Sequence, residues 1–319
     1  MTLESIGFYT LSDSRAATAS ATSKLSRCEM LLTSRCNFKC PYCRSVGGTD
    51  KPFDEAAAVV RLWASQGLYA IRFSGGEPLI YPRLRELVEL AKAEGIERIA
   101  VSSNGSFPLH KYVELLASGV NDLSISLDAC CAEDGDHMAG GVKGAFNRVV
   151  SNIRELAQLT YITVGVVLTE DNVDRINDII RFADELGVQD IRVIPAAQDG
   201  NRLSTIQVDA DILERHPILK YRVQNFQAGR PVRGLRECDS TKCGLVLDDM
   251  AVCEGYHYPC IIYLREGGRA IGKITDATIR ADREAWFQAH NTHTDPICSK
   301  NCLDVCVDYN NRFEEARKG

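Results

Sequence analysis

Residues 28–43 read CEMLLTSRCNFKCPYC. The first six form an apolar, strand-like run, and cysteines follow at 36, 40 and 43. A strand that empties into a loop of three thiols places metal-binding chemistry at the strand's C-terminal end. The next residues repeat the grammar without the cysteines. DEAAAVVRLWASQG (54–67) reads as a helix with Asp54 as N-cap and Gly67 at its end, and LYAIRFSGGEP (68–78) as a strand running into a glycine loop. PRLRELVELAKAEG (82–95) reads as a helix starting at Pro82.

The alternation continues through strands RIAVSSNG, DLSISLDA, YITVGVVLT and DIRVIP, separated by helical runs. Six β/α units predict a parallel sheet with crossover helices. Strands such as ITVGVVL are expected to be apolar on both faces. Six units fall short of a closed eight-fold barrel, so the fold class is α/β: an open, partial (β/α)6 barrel. In such sheets functional groups gather at the C-terminal strand ends. Cys36–Cys43, Gly75–Glu77, Ser103–Asn104, Asp128 and Pro195 all fall there.

The chain has 319 residues, 45% apolar and 25% charged, enough for a large core with an appendage. We divide it into an N-terminal extension (1–27), the barrel (28–200), a helical linker (201–237) and a cysteine-rich unit (238–319). No run approaches the roughly eighteen apolar residues of a membrane span. The start lacks the pattern of a secretory signal, so a cytoplasmic protein is expected. A net charge of -6 argues against nucleic acid as a partner. Thirteen cysteines are an excess that, in a reducing compartment, points to metal or catalysis rather than disulfides. Three thiolates suit an iron–sulfur cube with one open iron, or a zinc site with a distant fourth ligand.

Cys36-x3-Cys40-x2-Cys43, with Tyr42 before the last cysteine, resembles the signature of the radical SAM superfamily. FSGGEPL resembles its second motif, and the resemblance covers about residues 28–195. It implies a [4Fe–4S] cluster on Cys36, Cys40 and Cys43, with S-adenosylmethionine on the open iron. It further implies Gly75 and Gly76 backbone at the methionine end and Glu77 accepting from its ammonium. Ser103, Asn104 and Ser126 are candidate ribose or carboxylate contacts, and Val193–Pro195 are candidates to lie against adenine. The implied chemistry is reductive cleavage to a 5′-deoxyadenosyl radical that takes hydrogen from carbon. An external one-electron reductant such as flavodoxin or ferredoxin is implied as partner.

Cys243-x11-Gly255-x4-Cys260 resembles the start of twitch and SPASM extensions. Their Cys-x2-Cys-x5-Cys run is absent, which favours a twitch-like unit with one auxiliary [4Fe–4S] cluster. Cys298, Cys302 and Cys306 are the remaining candidate ligands; their spacing of four predicts one helical face. Cys238 is a further candidate, and a zinc ribbon is the alternative. Cys253, between proposed ligands, is the candidate hydrogen donor, with Cys130 and Cys131 as rivals; Cys28 is expected to pack. His137 reads as structural and His257 as a candidate polar contact. Asp248, Asp249 and Glu254 would suit an amine-bearing substrate.

Resemblance to twitch-type aminoglycoside epimerases and aminocyclitol dehydrogenases implies a cationic or polyhydroxylated small molecule. GFYTLSD and the few residues before Cys36 favour it over a leader-docked peptide. Epimerisation with return of hydrogen from Cys253 is the expected reaction. Dehydrogenation through the auxiliary cluster, peptide modification and a non-catalytic iron–sulfur sensor are the alternatives. The molybdenum-cofactor cyclase family shares the barrel and a similar GGEPL, but its C-terminal Cys-x2-Cys-x13-Cys is missing here.

Overall fold

A computed structural model describes residues 11, 13–44, 48–197, 206–275 and 277–318. The expectation drawn from GFYTLSD lies almost wholly outside the described residues. β1 (Arg27–Thr33), β2 (Ala70–Gly75), β3 (Arg98–Ser103), β4 (Asp122–Ser126), β5 (Tyr161–Leu168) and β6 (Asp190–Pro195) pair in parallel, in chain order. This is the expected partial barrel. Its first edge, however, is not open. β7 (Asp249–Cys253) pairs in parallel with β1, and β8 (Tyr256–Tyr258) and β9 (Gly272–Lys273) extend it antiparallel. The cysteine-rich unit is thereby stitched onto the barrel, Arg27 lying opposite Asp249 and Leu31 opposite Cys253. Arg27 donates to Asp249 at 2.7 Å across that seam.

The strands are not apolar on both faces. Met30, Leu32, Ile71, Phe73, Val101, Ile125, Val164 and Val193 pack outward with Trp63, Leu87, Ile153 and Ile180. Each such side chain contributes about 1.5–3 kcal/mol when fully buried. The alternate residues, which point to the other face, include Glu29, Arg72, Ser74, Ser124, Thr163 and Arg192. A polar interior suits a site rather than a second core. Gly165 belongs to this face, and a Cβ there would lie 3.1 Å from the Arg192 guanidinium. Among the described residues no helix is long and apolar enough to cross a membrane.

Several local expectations are corrected. The first crossover helix starts at Phe53 with Pro52, not Asp54, as N-cap, and the second starts at Leu84 rather than Pro82. The β-like run LVLDDMAVC (245–253) is strand only from Asp249, because Gly244–Leu247 forms a 3-10 turn before β7. HYPCIIYL leaves the sheet at Pro259, which has no N–H to give a ladder, and Ile261–Arg265 is helical. Cys298, Cys302 and Cys306 do not share one helical face. Helix Cys298–Asn301 stops at Cys302 (φ −57°, ψ 129°), and a second helix runs Asp304–Lys318. The break lets Leu303 bridge Arg233 and lets Cys302 O accept from Gly234 N at 2.9 Å. It also brings the buried Asp304 within 3.1 Å of Arg222.

Arg283, fully buried, clamps the C-terminal unit. It donates to Val246 O (2.9 Å), Tyr258 O (3.1 Å) and Asp249 O. It also sits 3.1 Å from His257 Nδ1. Burial and then the Arg283 charge push His257 down to about 4, so the ring is neutral and accepts from Arg283. His257 is therefore part of the clamp and not a substrate contact. Asp248 is held by Arg15 and by Tyr309 Oη (2.9 Å), and Asp249 by Arg27. These two carboxylates hold the fold together and do not await an amine.

Candidate active site

Cys36, Cys40 and Cys43 line one cavity of about 400 Å³ at the C-terminal ends of the strands. The loop that carries them is fixed by Cys43 N donating to Cys40 O (3.0 Å) and Lys39 N to Ala139 O (3.2 Å). Cys36 Sγ accepts from Phe38 N at 3.4 Å. Burial first, then the charges of Asp128, Cys43 and Cys36, pushes Cys40 up to about 12. Three thiols on one cavity wall are a donor set that suits a soft, positively charged metal centre.

Gly75 and Gly76 line the same cavity, but their glycine character answers a different need from the expected one. A Cβ on Gly75 (φ +141°) would meet Thr33 O at 2.3 Å, and one on Gly76 would meet Arg35 O at 2.2 Å. The glycine loop lies directly on the backbone of the cysteine loop, with Gly76 N donating to Thr33 O (2.7 Å) and Glu77 N to Arg35 O (2.8 Å). Gly76→Ala is expected to cost about 2–4 kcal/mol. The melting temperature should then fall by roughly 5–10 °C, and less iron should be retained. Thermal denaturation and iron assay of the same preparation check both.

Glu77 follows the glycine loop and is engaged within the protein. It is buried, and its carboxylate accepts from Leu79 N (3.1 Å), Ser103 Oγ (3.0 Å) and Asn104 N (2.8 Å). Burial pushes it up to about 7 against these three donors. It ties β2 to β3 and does not itself line the cavity. Ser103 and Asn104 do line it, as do Ser126, Tyr42 and Pro195. Asn104 Nδ2 donates to Asn37 Oδ1 at 2.9 Å and lies 3.8 Å from Cys36 Sγ. Tyr42 Oη donates to Asp128, whose other oxygen accepts from Val167 N at 2.7 Å. Burial pushes Asp128 up to about 6. Phe38, Met138 and Phe146 supply apolar wall.

Cys253 closes β7, on the face that alternation gives to the barrel interior. It lines an adjoining cavity of about 290 Å³ with Cys36, Cys40, Cys43, Gly75 and Gly76. Its rivals fare differently. Cys130 and Cys131 line neither cavity, and Cys130 Sγ takes a hydrogen bond from Arg175 at 3.2 Å. Cys28 is buried under the outer helices, as expected.

A second group of thiols gathers in the C-terminal unit. Burial, followed by the Cys306 and Cys243 charges, raises Cys260. Burial, followed by Cys243 and Cys260, raises Cys298. A hydrogen bond with Cys306, then burial, raises Cys302. The five candidate ligands thus lie within electrostatic reach of one another, although no three of their sulfurs lie within 4.8 Å of one another among the described residues, while Cys238 is exposed. The sequence reading missed His290, whose Nε2 lies 3.5 Å from Cys298 Sγ. His290, Asp295 and Cys298 offer ligand atoms within 4.8 Å of one another. It also missed four arginines of the main cavity: Arg44, Arg192, Arg233 and Arg265.

A parallel partial barrel with three thiols on the wall of the cavity at its mouth defines a β/α domain with a candidate metal centre. Residues 30–183, just under half of the chain, match the Radical SAM superfamily model. It is 31% identical over 169 residues to a probable GTP 3′,8-cyclase of Methanocella arvoryzae, covering 50% of this chain and 54% of that protein. It is 32% identical over 163 residues to an AdoMet-dependent heme synthase of Methanosarcina barkeri, covering 49% and 46%. A probable GTP 3′,8-cyclase of Methanococcus maripaludis aligns over 250 residues at 25% identity, covering 72% and 83%. The chain thus spans about half the length of the first two of these curated relatives. None of the three is an aminoglycoside epimerase.

Among solved structures, anSMEcpe with bound AdoMet superposes with a TM-score of 0.59 at 15% identity, covering 92% of this chain and 95% of that one. Streptococcus suis SuiB bound to S-adenosylmethionine gives 0.59 at 16%, covering 86% and 67%. These likenesses establish the fold.

Proposed function

We propose that the chain is a radical SAM enzyme that removes hydrogen from a substrate carbon and returns hydrogen from Cys253, inverting that carbon. The observation that carries the reading is the cavity that Cys36, Cys40 and Cys43 share with Gly75, Gly76, Ser103, Asn104 and Ser126. When bound, a [4Fe–4S] cluster and S-adenosylmethionine supply a 5′-deoxyadenosyl group able to take hydrogen from carbon. The donor set fits, since thiolates are the usual cluster ligands and three leave one iron open.

The chain's own residues bind, orient and shield. Cys36, Cys40 and Cys43 hold the cluster, and the glycine loop sets their backbone. Ser103, Asn104 and Ser126 offer hydrogen bonds to a ribose or carboxylate, and Pro195 offers an apolar face. Phe38, Met138 and Phe146 exclude water. Burial raises the Cys253 thiol, which favours the S–H form a hydrogen donor needs. After donation, one electron from an external reductant and one proton restore the thiol.

Cys243, Cys260, Cys298, Cys302 and Cys306 support an auxiliary [4Fe–4S] cluster, with one thiol more than four-fold ligation requires. The GTP 3′,8-cyclase activity of the relatives is not carried over. Two of the alignments cover about half of this chain, and the Cys-x2-Cys-x13-Cys spacing is missing. Anaerobic incubation with S-adenosylmethionine and dithionite is expected to yield 5′-deoxyadenosine. Iron-loaded protein that forms none would refute the enzyme and leave the sensor.

A further inference from the structure

Helix Ile261–Arg265 brings one arginine to both cavities. Arg265 lines each of them, together with Cys40, Cys43 and Arg44. It is half-buried, and among the described residues its guanidinium has no hydrogen-bond or ion-pair partner. Arg44 lies beside it on the wall and pairs with Glu266. Arg233 completes the group. It spends Nε on Pro195 O at 2.9 Å and Nη1 on Asn301 O at 3.4 Å, both neutral acceptors. Its electrostatic neighbours are Glu266 on one side and Arg222, Arg44 and Arg192 on the other.

Arg44 and Arg233 thus share one carboxylate, Glu266, which leaves Arg265 without an ion pair among the described residues, and the adjoining cavity adds only Glu254. Elsewhere in the cavity Asp128 faces Arg192, and Glu29 accepts from Ser74 Oγ at 2.8 Å. The excess is local, since the chain as a whole carries a net charge of -6. Desolvated cations cost free energy unless an anion meets them. Guanidinium forks match the paired oxygens of phosphate and carboxylate. An amine would be repelled at this wall; of the carboxylates expected to greet it, Asp248 and Asp249 are engaged by Arg15 and Arg27, and only Glu254 lines the adjoining cavity.

We propose that Arg265, flanked by Arg44 and Arg233, receives an anionic group, phosphate or carboxylate, of the molecule processed at this site. The inference rests on the enzyme reading above and names its substrate class. Held there, the anion anchors one end of the substrate beside Cys253, whose own environment already includes the Arg265 charge.

The test is calorimetric titration of cluster-reconstituted, S-adenosylmethionine-loaded protein with inorganic phosphate and, separately, with succinate, at fixed ionic strength. Wild type, Arg265→Ala and Arg265→Lys are compared, with iron content and S-adenosylmethionine affinity measured on the same samples. Binding of at least one probe should weaken tenfold or more in Arg265→Ala and less in Arg265→Lys, which keeps the charge but not the fork. The stronger probe identifies phosphate or carboxylate as the natural group. Equal affinities across the three proteins overturn the proposal. So does a tenfold loss of S-adenosylmethionine affinity in Arg265→Ala with phosphate and succinate unaffected, because the arginine then serves the methionine carboxylate. Failure to load iron strikes the enzyme reading alone, and the anion titration is read on that protein all the same.

Discussion

Replacing Cys36, Cys40 and Cys43 together by alanine is expected to remove about four irons per chain and leave about four, taking two four-iron clusters as the full complement. Formation of 5′-deoxyadenosine should fall to background, because no other described thiols line the main cavity. The fold should survive. Cys36 and Cys43 are exposed, Cys40 is half-buried, and the loop's fixed points are backbone bonds with Ala139, Gly76 and Glu77. Anaerobic purification, iron and sulfide assay, and chromatography of the nucleoside measure the result. Unchanged iron in the triple variant would show that these thiols hold no cluster. Zinc in place of iron in wild-type protein would restore the zinc reading and end the radical one. If the remaining four irons are absent as well, the C-terminal thiols do not form an auxiliary centre.

The trio was legible because its convergence is local: a loop of eight residues brings Cys36, Cys40 and Cys43 together whatever surrounds it. The six parallel strands were legible because each carries its own run of β-favouring residues between helical ones. Gly75 and Gly76 were recognisable as a motif, yet the reason for them was not. It lies in Thr33 and Arg35, some forty residues earlier, whose carbonyls a Cβ would strike. The internal partners of Glu77 were hidden on the same ground, because its three donors come from the adjoining turn and the next strand.

What joins distant segments was hidden. DMAVC reads as a short isolated strand, and nothing in those five residues announces parallel pairing with β1. Arg233 and Arg265 carry no motif; they reach the cavity only because that pairing folds the C-terminal unit over the barrel mouth. The spacing of Cys298, Cys302 and Cys306 fits a helix, but the Leu303 bridge to Arg233 and the Asp304–Arg222 pair interrupt it. Local periodicity cannot weigh such contacts.

Cys253→Ala tests the step that the fold makes specific. The register that sets Cys253 opposite Leu31 puts the thiol at the mouth-side end of β7, beside the cavity shared with the three cluster cysteines. Burial raises it, with Glu254 in the same direction, while Lys51 and Arg265 oppose them. A thiol held as S–H in heavy water exchanges to S–D, so inverted product should carry one solvent deuterium at the carbon that was attacked. In Cys253→Ala that product is expected to drop by about a hundredfold or more, while 5′-deoxyadenosine still forms and substrate is diverted. Cys253→Ser should behave alike, since a hydroxyl holds its hydrogen far more tightly than a thiol does. Mass spectrometry of product and nucleoside from the three proteins separates the cases. Deuterated, inverted product from Cys253→Ala would assign the donor to another group. A carbonyl product with no solvent hydrogen, made equally well by the variant, would make the enzyme a dehydrogenase and leave Cys253 as packing beside Leu31, Ala251 and Leu264.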